Sequence, residues 1–149
     1  MTNGLTKPSE RFRQEIQPAL DEYVQTPSER LANNLAKAID HHVDWTFEYY
    51  RRTDPSRLNG AEDVKSFRRQ LLQQCPELAT MNDLSDAAHH RFLERPNDPR
   101  RVTVTSTAAY SWQANPAQPG GVELYIEASQ SPFLPAATTA ADFFARWQD

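Results

Sequence analysis

All four histidines of the chain fall in two short segments that also gather carboxylates. The first holds Asp40, His41, His42, Asp44 and Glu48; the second holds Asn82, Asp83, Asp86, His89 and His90. A histidine titrates close to neutral pH, and a carboxylate one helical turn away can orient it for general acid–base work. Asp86 stands four residues before His90 and forms such a pair. The same residue types could instead ligate a metal, as carboxylates and histidines do when facing helices of a bundle converge. His41–Asp44–Glu48 and Asp83–Asp86–His90 have the chemistry for this, but there is no HExxH, no Glu-x-x-His pair and no cysteine cluster. No metal ligand and no cofactor are therefore assigned. The plain alternative is two solvated helix faces carrying ordinary surface ion pairs.

Other chemistry is sparse. No Ser/His/Asp or Cys/His arrangement occurs, and Cys75, the single cysteine, reads as a buried thiol and excludes an internal disulfide. With four glycines there is no phosphate-cradling loop. The aromatic run Trp45, Phe47, Tyr49 and Tyr50 beside Arg51–Arg52 could stack bases, or it is core with a basic rim. Arg51 to Gln70 holds six basic residues against three acids, whereas only Arg146 is basic after Arg101. At net charge −4 the chain is a poor general nucleic-acid binder. Arg68 and Arg69 are candidates for the rim of a site, or for a solvated face.

The elements that must position these residues are mostly helices. The 149 residues, 38% hydrophobic and 24% charged, suit one domain, 1–149, with its own core. No apolar run long enough for a membrane span and no signal-peptide pattern is present, so no membrane and a cytoplasmic location are expected. After a loose start, Phe12, Ile16, Leu20 and Tyr23 mark a helix to about Val24 that Pro18 should kink. Thr26–Pro27–Glu29 reads as the capped start of a second helix ending near Arg52. On it His42 lies at the edge of the apolar stripe, and His41, Trp45 and Glu48 form a neighbouring stripe. Asn59–Gly60 is a turn before a third helix, from about Ala61 to Gln74. Pro76 opens a fourth, which should stop before Pro96. Alternation from Val102 to Trp112 and from Val122 to Ala128, across a Pro/Gly-rich turn, predicts an antiparallel hairpin. A last helix from about Leu134 to Gln148 places Ala140, Phe143, Phe144 and Trp147 on one face. The fold class is mainly α (α+β): about four helices over 8–95, a β-hairpin over 101–129 and a C-terminal helix over 134–148.

The stretch Cys75–Pro76, Leu78, Asn82–Asp83, Asp86 and His89–His90, followed by the strand from Val102, resembles a set of small bacterial proteins of uncharacterised role. The likeness extends from about Ala38 to the C-terminus. That set is similar to HEPN-type helical bundles, many of them RNA-cleaving toxins or defence proteins acting as dimers. The resemblance implies catalytic positions at Asn82, Asp83 and His89 or His90, a homodimer, and RNA or a protein as partner. The chain departs from that pattern at Asn82, where the family has an arginine, and in a longer spacing to the histidine. An asparagine cannot stabilise a phosphorane by charge. The reading drawn is a non-enzymatic or weakly active HEPN-like binding module, its polar cleft built from His41, His42, Asp83, Asp86, His89 and His90. An RNase or metal-assisted hydrolase with Glu48 or His42 as partner group is one alternative; a structural protein that binds through the hairpin edge is another.

Overall fold

The computed structural model describes residues 6–93, 110–114, 116, 122–126 and 131–147; side-chain surroundings are given for these except at 87–93, 110–112, 122, 125–126 and 131. The expected strand over Val102–Ala109, the loop before it, most of the Pro/Gly-rich turn, Ala128 and the helix end at Gln148 lie outside the described residues.

The chain starts with helix α1, Pro8–Arg11, which runs through a π turn, Phe12–Ile16, into α2, Gln17–Gln25. Pro18 explains the π turn. It has no N–H to give, and its ring would strike the carbonyl four residues back. The helix answers by widening: the Gln17 N–H donates to the Phe12 carbonyl, five residues earlier. The expected kink is thus a local widening that keeps Phe12 and Ile16 buried.

The long helix α3, Glu29–Thr53, is the spine of the bundle. At a rise of 1.5 Å per residue it is about 37 Å long. Its cap is Ser28, two residues later than the sequence signals suggested: Ser28 Oγ accepts from the Leu31 N–H at 3.1 Å, while Thr26 closes α2. Leu31, Leu35, Ile39, Val43, Phe47 and Tyr50 are all buried along one stripe. A short 3-10 turn, Pro55–Leu58, precedes Asn59 (φ 50°) and Gly60 (φ 83°), the left-handed pair that reverses the chain. Helix α4, Val64–Gln74, begins at an Asp63/Ser66 capping box rather than at Ala61. Helix α5, Glu77–Leu93, follows directly after Pro76 and packs on α3 more extensively than any other helix does.

Strands β1, Tyr110–Ala114, and β2, Val122–Ile126, pair antiparallel, with Trp112 opposite Leu124. A two-residue strand β3, Ser131–Pro132, adds to the other side of β2 and was not anticipated. Helix α6, Phe133–Ala145, packs on α5, α3 and β2. Its alanines 136, 137, 140 and 141 are buried with Phe133 and Phe144, and Leu124 of β2 is buried in the same core. This is the expected mainly-α bundle with a hairpin and a C-terminal helix covering it. Among the described residues no helix is long and apolar enough to cross a membrane.

Candidate functional site

The polar centre of the bundle forms around Asp40. It follows Ile39 on α3, at the flank of the apolar stripe, and is only 7% exposed. A buried carboxylate needs partners, and two helices bring them. Arg68 of α4 donates through one terminal nitrogen to Asp40 Oδ1 at 2.6 Å. Asn82 of α5 donates to the same oxygen at 3.0 Å. The other terminal nitrogen of Arg68 reaches Asp44 Oδ1 at 3.1 Å and the Asp40 carbonyl at 3.4 Å. Three helices are therefore joined through one carboxylate, and the guanidinium is closed between two acids.

Asp83, next to Asn82, reaches solvent. Partial burial of its carboxyl, and then the nearby charges of Asp86 and Asp40, hold it above the ordinary carboxylate range. Asp86 is exposed. The backbone of α5 is helical through Leu93, but the side chains of His89 and His90 lie outside the described residues.

The histidines of α3 do not join this centre, which corrects the expected cleft. Residues two apart on a helix point about 200° apart, so once Asp40 faces α5, His42 must face the other flank. There it is 1% exposed, packed edge-on to Phe144 (4.6 Å between ring centres) and Phe12 (6.4 Å). Arg11 lies 3.2 Å from its Nδ1. A guanidinium can only donate, so Nδ1 accepts and the ring is neutral. His41 and Glu48 point outward. They line an open recess with Arg11, Asp44, Trp45 and Arg52, as their shared stripe foreshadowed. Glu48 is bound by Arg51 at 2.8 Å and Arg52 at 3.4 Å, and the Arg51 bond holds its carboxyl below the usual range. Arg69 is exposed and makes no ion pair among the described residues. Of the aromatic run, Phe47, Tyr49 and Tyr50 are buried and Trp45 alone stays partly open.

Two participants carried little signal in the sequence. Asp40 belongs to the first histidine segment, yet nothing local marks it as the hub; its i+4 partner Asp44 was the available hint. Arg11 is 31 residues from the histidine it touches. Among the described residues no group of three or more histidines, cysteines or acids gathers as metal ligands would. Cys75 is buried, and burial, then the Glu77 carboxylate, push its thiol up to about 11. It is no nucleophile at neutral pH. No family model matches the chain, and no curated protein or solved structure does so either.

Proposed function

We propose that this chain is a non-catalytic helical binding module of HEPN-like type, and that the acidic edge of α5 docks a basic protein surface. The carrying observation is the state of Arg68. It is the guanidinium that reaches the edge where the resembled enzymes need a cation, and Asp40 and Asp44 both hold it. Asn82, in the position of the family's arginine, spends its amide on Asp40. Among the described residues a transition state gaining negative charge would find no uncommitted cation there. Asp83 and Asp86 would moreover repel a phosphate backbone. The same two acids favour a cationic partner. A second copy offers one in the exposed Lys65 and Arg69 of α4, in line with the homodimer that the resemblance implies.

The test has two parts. Single-stranded RNA is incubated with the protein and with a His89→Ala/His90→Ala variant; equal background cleavage is expected, and cleavage abolished by the variant overturns the non-catalytic reading in favour of an RNase. Light scattering is then run on the wild type and on Asp83→Lys/Asp86→Lys. A dimer that the charge reversal dissociates is expected, whereas a dimer that survives it removes the acidic edge from the interface.

A further inference from the structure

We infer that the recess on the outer face of α3 binds a small oxyanion, a carboxylate or a phosphate, carried on a planar body. The recess encloses about 460 Å³, within the range of roughly 300–1,000 Å³ that small-molecule sites occupy. It shares Asp44 with the Asp40 centre but opens on the other flank of α3, and it does not depend on the function proposed above.

The argument begins with charge. Two acids and two arginines line the recess, but both acids are already answered. Glu48 takes Arg51 and Arg52, and Asp44 takes Arg68. Arg11 is left over. It is partly buried, and that burial works against its charged form; Glu15, on its own helix, acts in the opposite sense through space. Among the described residues Arg11 forms no ion pair. Among the described residues its guanidinium makes one hydrogen bond, to the neutral His42 ring. A partly desolvated guanidinium with spare N–H groups, opening on a recess, is completed by an oxyanion.

Trp45 supplies the second half. Arg11 lies over its ring, 5.5 Å from the centre. The indole N–H donates to the Thr6 carbonyl at 2.8 Å, which fixes the ring plane. The indole is thus a partly open, immobilised wall next to a cation, the pairing that holds a flat anionic molecule by stacking and charge together. Exposed His41 stands at the rim as a further donor.

The experiment is a calorimetric titration of the full chain with inorganic phosphate, adenosine monophosphate and benzoate. Saturable binding is expected for the nucleotide, for benzoate or for both, tighter than for inorganic phosphate; which of the two binds separates phosphate from carboxylate as the natural group. Arg11→Gln should weaken that binding at least tenfold, about 1.4 kcal/mol, and Arg30→Gln, at an exposed arginine near the start of α3, should leave it unchanged. Binding that is equal in wild type and Arg11→Gln, or absent for all three probes, overturns the proposal. Circular dichroism establishes that each variant folds. If Arg11→Gln does not, Trp45→Phe carries the test: the advantage of the planar ligand over inorganic phosphate must shrink, and an unchanged advantage overturns the site.

Discussion

Replacing Asp40 by alanine tests whether the three-helix junction holds the bundle together. Two bonds vanish: the 2.6 Å charge-assisted contact from Arg68 and the 3.0 Å contact from Asn82. Breaking a fully buried pair by removing one partner costs about 3–5 kcal/mol, whereas an exposed pair is worth about 0.2–1. This junction falls between those limits. Arg68 keeps a 20% exposed side chain and retains Asp44, so its charge is not stranded. Asn82 is only partly buried and can turn to water. A loss of about 2–3 kcal/mol follows, or a melting midpoint lower by about 4–12 °C for a chain of this size. Asp44→Ala is the control. Its side chain is 54% exposed, and the change should cost less than about 1 kcal/mol. Urea denaturation of both variants, with an Asp40→Ala/Arg68→Ala cycle, checks the numbers. If Asp40→Ala costs no more than Asp44→Ala, or if the cycle shows no coupling, the junction is incidental and the reasoning fails.

Other expectations concern individual groups. Asp83 is held above the ordinary carboxylate range, so its contribution to stability is fully present below its unfolded pKa and lost as pH rises through the folded one. Asp83→Asn should therefore raise the melting temperature at neutral pH, with the gain vanishing in acid; a gain independent of pH would contradict this. Cys75 should resist a thiol reagent at neutral pH until urea unfolds the chain, because its thiol sits near 11, and labelling of the native protein at the rate of a free thiol would refute that. Burial pushes the Tyr23 hydroxyl up to about 12, and although it faces the Leu124 main chain it closes no well-formed hydrogen bond among the described residues. Tyr23→Phe should then change stability by less than about 1 kcal/mol, measured by thermal melting. Ser28→Ala removes the cap of α3 and should cost about 1 kcal/mol in the same assay.

The sequence by itself determined that the chain is mainly helical, that a hairpin with a C-terminal helix follows the bundle, and which residues share a face of each helix. Apolar spacing along α3 and α6, Asn59–Gly60 and the Cys75–Pro76 boundary are local signals that act within a few residues, and they read correctly. Local signals also have local ambiguities: Ser28 and Thr26 are both good caps, and only the geometry of the Leu31 N–H chose between them. The site behaved differently. Periodicity placed His42 at the margin of the apolar stripe and Asp40 nearby, but which flank meets which neighbour depends on how the helices rotate and cross when their side chains interlock. That packing brings Arg68 across 28 residues and Asn82 across 42 to Asp40, and Arg11 across 31 to His42. It splits two adjacent histidines between the core and the outer recess, because consecutive side chains on a helix lie about 100° apart and can serve different surroundings.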